Sequence, residues 1–159
     1  MRKAALTSIA VALFAVTAVA STDPFLGTWI LNPKQSKYPG GACPKRMVIE
    51  MEPAGEGIRY RSDTTFNNGA TTHAEYTAEY NGKQSLVMGN RGMLWPVFLK
   101  RTDARTVVAS YTKDLKVVAS SRRVVSKDGR TMTITTVSKD ASGKSVTTVG
   151  IYDRKQARK

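Results

Sequence analysis

Between Ser21 and Lys159 no stretch of ten or more residues places apolar side chains at helical spacing. Runs rich in Val, Ile, Thr and Tyr are instead cut at short intervals by turn-forming clusters. These are Ala54-Gly55-Glu56-Gly57, Asn67-Asn68-Gly69, Asn81-Gly82, Thr112-Lys113-Asp114, Lys127-Asp128-Gly129 and Asp140-Ala141-Ser142-Gly143. Each supplies Gly, Asn or Asp, which tolerate turn backbone or bond to it. The spacing predicts eight to ten strands joined by hairpins. A short helix or turn is expected at Pro33 to Tyr38, because proline suits the first helical position. With no helix to cover a sheet, the strands must bury their dry face by closing into a barrel or stacking as a sandwich. Sequential hairpins favour closure, so the expected fold is all-β, an up-and-down antiparallel meander wrapped into a barrel of eight to ten strands.

Alternation fixes some detail. Met47, Ile49 and Met51 fall on one face of a strand whose other face carries Arg46, Glu50 and Glu52. In the next hairpin Ile58, Tyr60 and Phe66 oppose Arg59, Arg61 and Asp63, and after the turn Ala74, Tyr76, Ala78 and Tyr80 oppose His73, Glu75 and Glu79. A two-residue loop at Asn68-Gly69 would set Tyr60 on a face shared with glutamates. A three-residue loop, Asn67 to Gly69, pairs Phe66 with Ala70, Tyr60 with Tyr76 and Arg61 with Glu75. The second register is adopted here, because it puts aromatics inside and opposite charges face to face outside.

At the N-terminus Arg2 and Lys3 precede an apolar run from Ala4 to Val16, and Ala18, Val19 and Ala20 form a small-x-small cleavage pattern. Residues 1–20 therefore read as a signal peptide and 21–159 as a single domain with a short basic C-terminal tail. The run is too Ala-rich and short for a membrane span, so the product is expected in a periplasm or outside the cell. The remaining 139 residues carry 23 basic and 12 acidic side chains, net +11. Residues 21–80 sum to −1 and 81–159 to +12. Such asymmetry suits weak electrostatic contact with envelope polyanions, or simply a solvated basic face. No aromatic residues interleave the basic ones in the manner that stacks bases, so no specific nucleic acid is expected.

The chemistry open to this chain is narrow. Cys43 is the single cysteine, which excludes an internal disulfide, and nothing beside it would lower its pKa. His73 is the single histidine, so any triad, Cys-His pair or His-rich metal site must pass through it. The register turns it outward, opposite Asp63 and beside Glu75. Glu50, Glu52, Glu75 and Glu79 lie on polar faces, which argues against a buried carboxylate pair. Gly55-Glu56-Gly57 is a hairpin turn and not a phosphate loop. No catalytic residues, metal or cofactor are expected, and the chain reads as a non-enzyme.

Arg122-Arg123 sits in the middle of a strand, Leu115 to Val125. Neighbouring strand residues face opposite ways, so a regular strand turns one arginine inward. Buried without a partner, it would cost several kcal/mol. A two-residue turn at Asp128-Gly129 puts Arg123 on the face of Val125, Met132 and Ile134; a three-residue loop, Lys127 to Gly129, puts Arg122 beside Met132 and Ile134. Either the inward arginine binds the carboxylate or phosphate of an amphiphilic ligand, or it stacks on Trp29 or meets backbone carbonyls, or a bulge turns both to water. In the first case Tyr60, Tyr76 and Tyr80 line the wall while Ala74 and Ala78 leave room. Trp95, Pro96 and Phe98, after the Gly-rich "MGNRGMLW", either form a lid at the barrel mouth or continue the core.

"FLGTWILN", with Gly27 and Trp29 on the first strand, is similar to the entry motif of lipocalins and their calycin relatives. "DPFLGTWILNPKQSKY", "SKDGRTMTIT" and "DASGKSVTTVGIYDR" resemble exported bacterial lipocalin-like proteins of undefined function. The resemblance implies that Trp29 plugs the closed end of the barrel, that Gly27 lets the chain pass close beneath, and that Arg154 stacks on the indole. The lipocalin Thr-Asp-Tyr triplet is absent; "SYTKD" at Ser110 to Asp114 stands nearest to it. An eight-stranded barrel is wide enough either to be filled by side chains or to hold one small ligand. Two functions follow: a carrier of a small hydrophobic or amphiphilic molecule, or a filled envelope or inhibitor protein whose basic surface meets an anionic partner.

Overall fold

The computed structural model describes residues 23–41, 43–89 and 95–156. The leader-like segment, Asn90 to Leu94 of the Gly-rich stretch and the last three residues lie outside the described residues. Ten strands follow one another: β1 (Gly27–Leu31), β2 (Arg46–Ala54), β3 (Gly57–Thr65), β4 (Thr71–Glu79), β5 (Asn81–Gly89), β6 (Trp95–Asp103), β7 (Thr106–Lys113), β8 (Lys116–Val125), β9 (Thr131–Lys139) and β10 (Ser145–Arg154). Each pairs antiparallel with the next, and β1 pairs with β10, closing the sheet. Closure leaves no strand at a free sheet edge, although β4 and β5 pair only at Ala74 with Gly89 and Glu75 with Met88.

The β3–β4 hairpin adopts the register that buries aromatics. Tyr60 pairs with Tyr76 and Arg61 with Glu75. Gly69 takes a positive φ of 81° and the Phe66 amide donates to the Ala70 carbonyl. Pro33 to Gln35 form a turn, the Gln35 amide donating to the Asn32 carbonyl. Two turns differ from the sequence reading. The β7–β8 reversal falls on Asp114 and Leu115, both at positive φ, one residue beyond the expected cluster. Between β6 and β7 the chain reverses at Ala104-Arg105 without Gly or Asn; the Asp103 carboxylate accepts the Arg105 amide instead.

Alternation sends Ile49, Met51, Ile58, Leu99, Val107 and Met132 into a core that occupies the barrel interior. One end is sealed. Trp29 is 0% exposed, its indole N–H donates to the Phe25 carbonyl at 2.8 Å, and the Arg154 guanidinium lies 4.1 Å over its ring. Arg154 also donates to the carbonyls of Pro24, Leu26 and Gly129, tying the N-terminal lead to the β8–β9 turn. Gly27 is required here twice: its φ is 113°, and a Cβ would stand 2.9 Å from Arg154 Nη1. The hairpins β2–β3, β4–β5, β6–β7 and β8–β9 share this closed end. The β1–β2 connection and hairpins β3–β4, β5–β6, β7–β8 and β9–β10 share the other.

Candidate functional site

The β8–β9 hairpin decides between the two arginines. Val125 pairs with Met132 and Arg123 with Ile134, the register of the two-residue turn, with Gly129 at φ 70° and its amide bonded to the Ser126 carbonyl. Arg123 points inward and is 2% exposed, while Arg122 points to solvent. The β7–β8 bulge lies further up, between Tyr111 and Thr112, and leaves this part of the strand regular.

Around Arg123 stand phenols. Tyr60 and Tyr76 stack with ring centroids 4.6 Å apart and planes 8° from parallel, and the guanidinium carbon lies 5.0 and 5.9 Å from their centres. Nη2 donates to the Tyr111 hydroxyl at 2.9 Å. Nε and Nη1, though shut off from solvent, close no hydrogen bond. The Tyr76 hydroxyl is near enough to interact with the guanidinium electrostatically, yet the geometry of a hydrogen bond is not met, and Ser121 Oγ is likewise buried without a partner. Buried polar groups in native proteins are nearly all bonded, so these unbonded atoms around one buried charge set the cluster apart from the rest of the core.

Tyr80, read in the sequence as part of the same wall, belongs to the closed end. Its hydroxyl donates to Asp23 Oδ2 at 2.8 Å, and Arg101 both reaches that oxygen at 2.6 Å and lies 4.0 Å over the Tyr80 ring. Ala78 is buried and Ala74 half-buried. Trp29 is not the partner of Arg123, since Arg154 occupies its face. His73 sits in an exposed ladder, 2.8 Å from Asp63 and 3.8 Å from Glu75. Cys43 is half-buried and burial pushes its thiol pKa up, the direction that quenches nucleophilicity. Pro96 and Phe98 are half-buried on β6. Among the described residues no group of three or more His, Cys, Asp or Glu could hold a metal ion, and no helix is long and apolar enough to cross a membrane.

Sequence reasoning missed Tyr111, Ser121, Tyr38 and Tyr152. Period two along β7 from Val107 and Ala109 reaches Tyr111, so its direction was readable once that strand was placed. All six tyrosines of the chain lie in the core or pack against it. Burial raises the pKa of Tyr38, Tyr60, Tyr76, Tyr80 and Tyr152 above 10.0. A folded-state value raised in this way contributes stability that is complete below the ordinary phenol range. That contribution is lost as pH climbs toward the raised values. The phenols are expected to cost no stability in urea unfolding below about pH 10. Above it, each such phenol should remove up to about 1.4 kcal/mol per pH unit, with phenolate absorbance rising together with unfolding. Phenolate appearing near pH 10 in protein that stays folded would show the phenols to be wet.

No family model matches the sequence, and no curated protein matches it. Among solved structures, zebrafish ileal bile acid-binding protein complexed with cholic acid superposes with a TM-score of 0.56 at 12% sequence identity. The match covers 83% of this chain and 99% of that one. Likeness at that identity concerns architecture: the chain is an all-β, ten-stranded antiparallel closed barrel of calycin-like fold.

Proposed function

We propose that this chain is an exported, non-enzymatic carrier that holds one small amphiphilic molecule inside the barrel, with an anionic head on Arg123 and an apolar body along the inner wall. The observation that carries this reading is the 2% exposed guanidinium with Nε and Nη1 unbonded. A carboxylate or phosphate offers the charged acceptor that a buried guanidinium favours. Tyr111 takes Nη2 of the guanidinium, and the stacked Tyr60 and Tyr76 give a flat surface beside it. The bile acid in the zebrafish structure is itself an amphiphilic carboxylate. The leader-like residues 1–20 support export to a periplasm or beyond, in keeping with the resemblance to exported bacterial lipocalin-like proteins.

The test compares a long-chain fatty acid with its methyl ester and alcohol, followed by tryptophan fluorescence and by native mass spectrometry. One molecule per chain is expected, the acid binding at least about tenfold tighter than either neutral analogue, since charge-assisted hydrogen bonds are worth about 1.5–3 kcal/mol. Equal binding of acid and ester would remove Arg123 from the reading. No binding of any of them would remove the carrier.

A further inference from the structure

The end opposite the Trp29 floor, termed here the open end, carries exposed apolar side chains among the described residues. Leu86 and Met88 are 53% and 64% exposed on the outer side of β5, Val117 is 64% and Val137 40% exposed on β8 and β9, and Leu115 is fully exposed at the β7–β8 tip. Single exposed apolar residues are ordinary; here Leu115 and Val117 lie together at one tip, and Leu86, Met88 and Val137 lie toward the same end on β5 and β9. The tip itself is unusual. In a two-residue reversal with both central residues at positive φ, the second position ordinarily holds glycine, yet Asp114 and Leu115 stand there at 49° and 61°. Leucine at that φ is strained and here gains no contact in return, so folding alone does not account for it.

Charge is arranged on the same end. Lys45 and Arg46 stand at this end where β2 begins, while Lys37 pairs with Val149 midway along β10. The hairpins β7–β8 and β9–β10 add Lys113, Lys116, Lys139 and Lys144 against Asp114 and Asp140. Most acidic residues, including Glu52, Glu56, Glu79, Asp103, Asp128 and Asp153, lie around the closed end. The closed end also carries Arg59, Arg101, Arg105, Lys127, Arg130 and Lys155, so both ends are basic, and what distinguishes the β7–β8 tip is that Lys113 and Lys116 flank its exposed Leu115 and Val117.

We infer that the open end docks on an anionic lipid bilayer, with Leu115 and Val117 entering the interface and the lysines around them meeting phosphate headgroups. Leucine and valine beside lysine is the pattern of a segment lying in a headgroup region. A second copy of the chain fits less well, because a two-fold contact through this end would set two basic ends face to face. The inference does not depend on occupancy of the barrel interior.

The test is flotation of the purified protein with vesicles of phosphatidylcholine containing about a third phosphatidylglycerol, and with phosphatidylcholine alone. Binding is expected only to the anionic vesicles, and it should weaken as salt rises from about 0.1 M to about 0.5 M. Leu115→Gly should lose roughly tenfold in vesicle affinity while its melting temperature rises by a few degrees, because glycine relieves the strained turn. Lys113→Glu with Lys116→Glu should lose at least about tenfold with the fold unchanged. Equal flotation with neutral vesicles, or full binding by both variants, overturns the inference and assigns any lipid contact to another segment. A lower melting temperature for Leu115→Gly would make the leucine structural and also overturn it. So would a dimer that Leu115→Gly dissolves in a protein that does not float, which would assign the exposed apolar tip to a second copy.

Discussion

Arg123→Met is expected to lose anionic ligand by a factor of about 100 or more while melting at the same temperature as the parent or higher. The two halves of this result have one origin. A guanidinium taken out of water forfeits several kcal/mol of hydration, and its partners recover that only when all its donors are used. Here one hydrogen bond to Tyr111 and the rings of Tyr60 and Tyr76 do the compensating, while Nε and Nη1 close no hydrogen bond. Methionine has similar reach, fills irregular space and carries no charge. Replacement gives up about 1 kcal/mol of hydrogen bond and about 0.5–2 kcal/mol of cation–π attraction, against removal of the desolvation penalty. In the loaded protein the balance reverses, because the anion then uses the donors. Two lost charge-assisted bonds at about 1.5–3 kcal/mol each account for the drop in affinity. Arg122→Met supplies the control: its parent side chain is exposed, so both binding and melting should hold. A structural arginine would behave in the opposite way, with Arg123→Met unfolding several degrees lower. That outcome, with ligand binding intact in what remains folded, would end the proposal that Arg123 receives a headgroup.

Why the sequence could name a pair of arginines but not the inward one is a matter of parity. A strand shows its two faces through period two, and one residue more or less in a loop exchanges them. For β3–β4 the exchange would have put Tyr60 on the side of the glutamates, so patterning alone decided the register. In β8–β9 both registers put apolar residues and one arginine inside, and Thr131, Thr133 and Thr135 tolerate either face; only the geometry of the Lys127 to Arg130 reversal separates them. The floor was legible because glycine, tryptophan and a late arginine have distinct demands. Gly27 at φ 113° under Arg154 is a position no other residue takes without strain. Tyr111 escaped notice for the opposite reason, since a single tyrosine in "VVASYTK" sets no constraint until the hairpin beside it is in register. The turn on Asp114-Leu115 was misplaced because leucine at positive φ contradicts the turn chemistry on which such reading rests.

Trp29→Ala should be the most damaging single substitution in the described chain, lowering stability by about 3–5 kcal/mol. At this chain length that is a fall of roughly 10–20 °C in melting temperature. The indole is 0% exposed at a place where strand ends converge, and neighbouring backbone cannot close over its loss without breaking the β1–β10 and β1–β2 pairings of Trp29 with Arg154 and Ile49. Truncation also orphans the Phe25 carbonyl and strips the apolar face from Arg154, which then holds three carbonyls across a void. Trp29→Phe separates these contributions, keeping most of the ring and losing the N–H donor, and should cost about 1–2 kcal/mol. A double-mutant cycle with Arg154→Met measures the stacking directly. Coupling of about 1–2 kcal/mol between the two positions is expected for a guanidinium 4.1 Å over a buried ring. Chemical denaturation with matched slopes is the proper measurement, because a variant that loosens the denatured or native ensemble would change the slope as well as the midpoint. A Trp29→Ala protein within 1 kcal/mol of the parent would mean that the closed end is held by the Arg154 carbonyl clamp alone.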